Sequence, residues 1–162
     1  MLMERYTALA AGLVRRARVR GWSWPGRWPR LEAAIAAGAI CGVGARYLLG
    51  TLIGGLWSGR LPLGTLLINL LGCLLIGLVQ TLALELIAMP RELQVLLAVG
   101  LLGGFTTFSS FSVETVQLLR QGALLTALAY QMLSLGSGLP AVVLGSALAR
   151  WAHLRCVRGR RR

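Results

Sequence analysis

The sequence predicts an all-α integral membrane protein with four transmembrane helices, and three observations support this fold class. Of the 162 residues, 56% are apolar, and the mean hydropathy of +0.71 exceeds that of soluble globular domains. The apolar residues form four stretches, at roughly 33–57, 63–89, 93–119 and 123–149. Each is longer than the about 20 helical residues that cross about 30 Å of hydrocarbon. The charged residues lie mostly outside these stretches.

Three segments make up the chain. A basic N-terminal arm rich in tryptophan and arginine occupies residues 1–31, the membrane domain occupies 32–150, and a basic tail occupies 151–162. The connections between spans fall near residues 57–62, 89–92 and 120–122, so no soluble domain is inserted. Any function must therefore be performed by the helices themselves.

The charged residues exclude some classes of function. Arginine supplies all 17 basic residues and glutamate all five acidic residues, so the net charge is +12. Because the arginines flank the apolar stretches, we expect them to contact membrane lipid headgroups and to set topology, and we expect no binding of nucleic acid. The sequence has no nucleophile–base pair, nucleotide-binding loop or transition-metal ligand spacing, so an enzyme is not expected.

The arginines are distributed unevenly between the two sides of the membrane. With four spans, the termini and the second connection share one side, where the arm carries seven arginines, Arg150 and the tail together six, and the connection Arg91. The opposite side carries Arg60 and Arg120. The positive-inside rule therefore predicts that both termini are cytoplasmic and that the chain holds one orientation.

Glycines spaced four residues apart predict close helix contacts. Small residues at this spacing let two membrane helices approach backbone to backbone. Such pairs are Gly38 with Gly42, Gly50 with Gly54, and Gly100 with Gly104.

The third span contains an unusual mixture of residues, GLLGGFTTFSSFSVE at Gly100–Glu114. Its adjacent glycines and threonines lower helix propensity, which predicts a break near Gly103–Thr106. A break would free backbone carbonyls, and these are natural ligands for a small hard cation such as sodium. The alternative is a continuous helix in which the threonine hydroxyls bond to the preceding turn.

Polar side chains also form a stripe on each of two other spans. Thr65 and Asn69 share one face of the second span with Gly72, and Tyr130 and Ser134 share one face of the fourth. Taken alone, a membrane asparagine is about as often a clasp between helices as a pore group. Together with the polar third span, the stripes are best explained by a single polar pathway.

Aromatic and cationic residues accompany these stripes. Phe108 and Phe111 lie three residues apart, and the positive edge of an aromatic ring can face an anion. Isolated phenylalanines are usually core or lipid-facing, but these two stand among hydroxyl side chains. Arg46, late in the first span, either extends to the interface, marks the mouth of a polar vestibule or pairs with a carboxylate.

These motifs resemble those of the Fluc/CrcB family of fluoride-specific ion channels, from about Ala33 to Leu148. The matching segments are GAICGVGARY at Gly38–Tyr47, LGTLLINLLG at Leu63–Gly72 and the third-span segment Gly100–Glu114, with Tyr130 and Ser134 in the fourth span. Three ordered motifs with compatible spacing are far more specific than any one of them.

The resemblance implies a dual-topology type of antiparallel dimer in the cell membrane of a prokaryote, with two pores that export fluoride passively. It implies a structural sodium ion held by the backbone carbonyls of Gly103 and Thr106. The positions that match the family's pore are Asn69, Phe108 and Phe111, with a polar lining formed by Ser109, Ser110, Tyr130 and Ser134. Thr65 shares the face of Asn69, and Arg46 fits a vestibule.

Two further alternatives stay open on the sequence. A proton-coupled exporter of the small multidrug-resistance type would need a carboxylate deep in the first span, whereas Glu32 stands at its beginning. A non-transporting scaffold would explain the glycine pairs but not the shared polar faces. The resemblance implies a homodimer, but the charge asymmetry favours a heterodimer with a related subunit in the opposite orientation.

Overall fold

The computed structural model describes residues 28–87 and 89–159, and within them it has four helical spans and no strand. The first span is α1 (Trp28–Leu56), and the second is α2 (Leu63–Thr81), which continues as a π-helical turn (Leu82–Leu86). The fourth is α6 (Leu124–Gly159). All four are long and apolar enough to cross a membrane, which confirms the predicted fold class.

The third span consists of four shorter segments. It begins with α3 (Arg91–Val95) and a π-helical segment (Leu96–Leu101), followed by α4 (Leu102–Phe105) and α5 (Phe108–Arg120). Thr106 and Thr107 separate α4 from α5 in extended conformations, with φ, ψ values of −80°, 156° and −148°, 114°. The predicted break is therefore present. It begins at Thr106, at the C-terminal end of the predicted region.

Both termini of the membrane domain extend as helix. Helix α1 begins at Trp28, and most of the predicted N-terminal arm, residues 1–27, lies outside the described residues. At the other end, α6 continues without interruption past Arg150 to Gly159, so most of the predicted basic tail is helical. Pro140 lies inside α6.

Glycines allow the first and third spans to pack backbone to backbone. A Cβ atom added at Gly38 or Gly42 would collide with the carbonyl oxygens of Leu96 or Leu101. A Cβ atom at Gly100 would lie 2.5 Å from the Ile35 carbonyl oxygen. These contacts support the predicted role of the two glycine pairs, because only a missing side chain permits such an approach.

The second and fourth spans pack through two glycines that do not form a spaced pair. Added Cβ atoms at Gly77 and Gly145 would collide with the backbone carbonyls of Val142 and Leu74. Gly54, in contrast, has no atom within 4 Å of such a Cβ atom, so its predicted helix contact is not made within this chain.

An ion pair joins the ends of the second and fourth spans. The Arg150 guanidinium donates from Nε to Glu85 Oε2 and from Nη2 to Glu85 Oε1, each at 3.0 Å. Both side chains are about half exposed, so the pair adds little stability. It places Arg150 beside the end of the second span, and the helix beyond it extends past the membrane domain.

Candidate functional site

Asn69 holds the broken backbone of the third span to the second span. Its Nδ2 donates to the Thr107 carbonyl oxygen at 3.0 Å, and its Oδ1 accepts from the Thr107 N–H at 2.8 Å. One amide side chain thus satisfies both backbone groups of a residue that has left the helix. The alternative of a clasp between helices describes this geometry, and the pore role of Asn69 stays a prediction.

The break leaves two particular carbonyls without their helical donors. In a continuous helix, the Thr107 N–H would donate to the Gly103 carbonyl and the Ser110 N–H to the Thr106 carbonyl. The Thr107 N–H donates instead to Asn69, and the Ser110 N–H donates to the Thr107 hydroxyl at 3.1 Å. Gly103 has no atom within 4 Å of an added Cβ, so this side of the helix is open.

The Thr107 hydroxyl organises the start of α5. It caps the helix by accepting the Ser110 N–H, and it lies 3.0 Å from Ser110 Oγ and 3.2 Å from Ser109 Oγ. The Thr106 hydroxyl donates to the Leu102 carbonyl oxygen at 2.9 Å, so one threonine bonds to the preceding turn even though the helix is broken. Three hydroxyl groups are therefore gathered just after the break.

Glu114 joins three spans through its carboxylate. Thr65 donates from Oγ1 to Glu114 Oε1, and the Tyr130 hydroxyl donates to Glu114 Oε2, each at 2.7 Å. Tyr130 is completely buried, and Glu114 and Thr65 are half-buried. Short hydrogen bonds to a carboxylate are strong in a membrane interior because little water competes for them.

Glu114 had no predicted role beyond its place at the end of the third-span motif. The sequence spacing does predict where Glu114 lies. It follows Thr107 by seven residues, so the two share one helical face. Thr65 lies one turn before Asn69 on the second span. Because both faces meet, the pairing of Thr65 with Glu114 follows from the pairing of Asn69 with Thr107.

Three aromatic rings form a continuous series beside this cluster. The ring centroids of Phe108 and Phe111 are 5.7 Å apart, and those of Phe111 and Tyr130 are 5.0 Å apart, in tilted orientations. Phe108 is 79% exposed, whereas Phe111 packs against the small buried core that includes Tyr130. The two phenylalanines thus have different environments within this chain.

Two cavities border the polar cluster. The larger, of about 580 Å³, lies at the end of the connection between the first two spans, and its polar lining includes Arg46, Arg60, Thr65, Thr107, Ser110 and Glu114. The smaller, of about 330 Å³, lies at the break and is lined by Asn69, Gly103, Thr106, Thr107 and Phe108 together with apolar residues. Thr107 lines both cavities, so it stands between them.

The remaining predicted site residues lie apart from these cavity walls. Ser109 is exposed, and Phe111 and Tyr130 pack in the core. The Ser134 hydroxyl is buried and has no hydrogen-bond partner among the described residues. Within 28–87 and 89–159, no three His, Cys or Glu side chains are grouped to hold a metal ion. Backbone carbonyls at the break are oxygen ligands of the kind that can bind a hard cation.

A protein-family match covers most of the chain. A family model described as "CrcB-like protein, Camphor Resistance (CrcB)" matches residues 33–146. The chain belongs to the CrcB family. The match extends through all four spans and confirms the resemblance found from the motifs. The arm and the last part of α6 lie outside the CrcB match.

Individual CrcB relatives are similar over the same region. The chain is 47% identical over 116 residues to the fluoride-specific ion channel FluC 1 of Moorella thermoacetica, covering 72% of this chain and 83% of the relative. It is 46% identical over 121 residues to the fluoride-specific ion channel FluC of Synechocystis, covering 75% and 93%. Identity to FluC of Prosthecochloris aestuarii is 44% over 116 residues, covering 72% and 90%.

Proposed function

We propose that this chain forms a fluoride-specific channel that exports fluoride passively from the cell and so reduces its toxicity. The observation that carries the proposal is the position of Thr107, which lines both cavities and is fixed by the Asn69 amide. Polar groups at this depth are costly in a membrane unless they serve a pathway or a partner. The names of the relatives support fluoride as the ion and a channel in preference to an enzyme.

The side chains around Thr107 have the chemistry that fluoride requires. Fluoride is small and tightly hydrated, so a pore must replace its water with closely spaced hydrogen-bond donors. Ser109, Ser110 and Thr107 present hydroxyls after the break, and Asn69 stands opposite. Phe108 and Phe111 offer ring edges, and Arg46 supplies a positive charge in the larger cavity.

The exposed face of the third span supports a dimer. Phe108 is 79% exposed and Val99 is 55% exposed, and Gly103 between them has an open side. A large apolar face that also carries freed carbonyls is poorly suited to lipid, because lipid offers those carbonyls no partner. An antiparallel second subunit would cover this face and complete two pores.

The freed carbonyls of Gly103 and Thr106 fit a structural sodium ion. Carbonyl oxygens are hard ligands, and both have lost their helical donors to Asn69 and Thr107. Bound there with the equivalent groups of a second subunit, sodium would balance the partial negative charge of the carbonyls. Replacing sodium with N-methyl-D-glucamine should then lower the thermal stability of the assembly, and an unchanged stability would contradict the site.

The orientation of the chain bears on the identity of its partner. The excess of arginine on the side of the termini supports cytoplasmic termini in the plasma membrane and a single orientation. An antiparallel dimer then needs a related subunit inserted the opposite way, whereas dual insertion would give a homodimer. Reporter fusions at the C-terminus distinguish them, because equal cytoplasmic and external populations would reject the heterodimer.

The experiment that tests the function is reconstitution of the purified chain in liposomes. Fluoride efflux is measured with a fluoride electrode, and chloride efflux from matched liposomes is the control. Rapid efflux of fluoride but not of chloride is the expected result. Absence of efflux from the chain alone, with recovery when an oppositely inserted relative is added, would keep the channel and reject the homodimer. Absence in both cases would reject the channel.

The proton-coupled exporter has less support from the geometry. Glu32 is exposed near the start of α1, so it lacks the deep position in the span that such an exporter would need. Glu114 lies deeper, but both of its oxygens accept hydrogen bonds from Thr65 and Tyr130. An uphill, proton-driven efflux in the liposome assay would favour the exporter instead.

A further inference from the structure

The connection between the first two spans is a folded structure. The Trp57 indole donates from Nε1 to the Leu61 carbonyl oxygen at 2.9 Å, which closes the loop. Gly59 lies against the same indole, since an added Cβ would be 2.5 to 2.9 Å from three of its ring atoms. The Leu63 N–H donates to the Leu61 carbonyl at 2.7 Å, and α2 begins directly afterwards. Arg60 is therefore carried by a loop with defined geometry.

Arg60 lines the larger cavity together with Arg46. The first is on the loop and the second is on α1, and Glu114 is the one acidic residue of the same lining. Both Glu114 oxygens already accept hydrogen bonds, from Thr65 and Tyr130. The formal charges of the lining therefore sum to a positive value at the mouth of the cavity.

Arginines on this side of the molecule are not spread evenly but lie mainly at the cavity. At the end of the molecule opposite the termini, the described arginines are Arg60 and Arg120, and Arg46 lies within the first span. Arg46 and Arg60 line the cavity, whereas Arg120 does not. Low-dielectric walls concentrate the field of such charges within a concave opening. The positive charge on this side of the membrane is thus concentrated where a permeating anion would enter or leave.

We infer that Arg60, acting with Arg46, makes this vestibule a collecting site for small monovalent anions. The assignment of fluoride as the anion rests on the proposed function. One unit charge about 6 Å away in water changes the local concentration of a monovalent anion about threefold at low ionic strength. Salt at 1 M shortens the Debye length to about 3 Å and should remove most of the effect.

Fluoride flux gives the first test. In liposomes at low ionic strength, Arg60→Gln should lower fluoride efflux about threefold at subsaturating fluoride, and Arg60→Lys should retain it because the charge remains. Arg120→Gln, which removes an arginine from the same side but outside the cavity, should leave efflux unchanged. In high salt the variants should converge. Equal efflux of Arg60→Gln and the parent chain at low salt would overturn the inference.

Thiol modification gives a second test that does not need fluoride conduction. A cysteine is placed in the cavity lining by Thr51→Cys after Cys41, Cys73 and Cys156 are replaced by alanine. Its reaction rates with negatively and positively charged methanethiosulfonates are compared. Loss of a positive charge slows the reaction of the negative reagent and speeds that of the positive reagent. Arg60→Gln should therefore lower the ratio of the negative-reagent rate to the positive-reagent rate about tenfold at low salt.

The two tests separate two kinds of failure. A normal charge preference in the thiol assay, with no fluoride efflux from the chain either alone or with an oppositely inserted relative, would reject the channel and keep the positive vestibule. Fluoride efflux with a thiol ratio that does not change in Arg60→Gln would keep the channel and reject the role of Arg60.

Discussion

The third span has two faces that hold the protein together by different means. Toward the first span it presents glycines, and backbone packs on backbone with no polar side chain between them. Toward the second and fourth spans it presents Thr107 and Glu114, which are fixed by side-chain hydrogen bonds. The glycine face of the third span offers only close packing against the backbone of the first span. The polar face borders both cavities, and the proposed channel function is therefore assigned to it.

The largest effect should come from filling the glycine face. Gly100→Val would push a side chain into the Ile35 carbonyl and the Gly38 backbone, where neither can move without shifting a helix. Overpacking of this kind should cost about 3 kcal/mol or more and prevent a stable fold. The yield of monodisperse protein after size-exclusion chromatography measures it. Gly44→Val is the control, because no atom lies within 4 Å of its added Cβ. Equal yields would contradict this interpretation of the packing.

A smaller loss of stability should follow from removing the clasp on the polar face. Asn69→Leu keeps a similar volume but leaves the Thr107 N–H and carbonyl unpaired. Two buried unsatisfied backbone groups should cost about 2 to 4 kcal/mol. Thermal denaturation measures the loss, and faster hydrogen exchange of the Thr107 amide would locate it. Slow exchange of this amide in Asn69→Leu would show that another group holds the break.

Phe108 should separate function from stability. Because its side chain is 79% exposed in the single chain, Phe108→Ile should change stability of the subunit by less than about 0.5 kcal/mol. Under the proposed function, fluoride efflux should fall at least about tenfold, since the aliphatic side chain has no positive ring edge. Leu125→Ile, at a position 82% exposed on the fourth span, is the matched control. An unchanged efflux for Phe108→Ile would remove Phe108 from the pore.

A smaller loss of stability than that of Asn69→Leu should come from changing the charge but not the shape of the polar face. Glu114→Gln retains an oxygen acceptor for Thr65 or Tyr130, and hydroxyl rotation lets the other accept from the new amide. Exchanging charge-assisted for neutral hydrogen bonds should cost about 1 kcal/mol. Thermal denaturation beside Glu114→Leu, which removes all hydrogen bonding, checks this order. A larger loss for Gln than for Leu would contradict the hydrogen-bond account.

Local composition was enough to predict the spans and the break. Apolar stretches of sufficient length predicted four helices, and adjacent glycines and threonines predicted the interruption of the third. Both features depend on residues that are neighbours in sequence. The break lies at weak helix formers, where a partner side chain satisfies the freed backbone groups. The π-helical turn at Leu82–Leu86 was not predicted, since no residue in it disfavours the regular helix.

Pairings between distant residues were harder to predict. The role of Asn69 stayed open because a clasp and a pore group have the same sequence signature, and Glu114 was missed because its donors lie 49 and 16 residues away. Gly77 and Gly145 were missed because each acts alone on its own helix, without a partner four residues away. Which faces meet is decided by packing of whole helices.

The continuous helix of the fourth span allows the relative orientation of two subunits to be measured. Cys156 is exposed near its end, several residues beyond Arg150, and is carried by the same helix that crosses the membrane. A spin label attached there would follow the span itself. In a parallel pair, two such labels would stand on one face of the bilayer, whereas in an antiparallel pair the whole membrane thickness would separate them. A single distance measurement by electron spin resonance would therefore distinguish a parallel from an antiparallel pair.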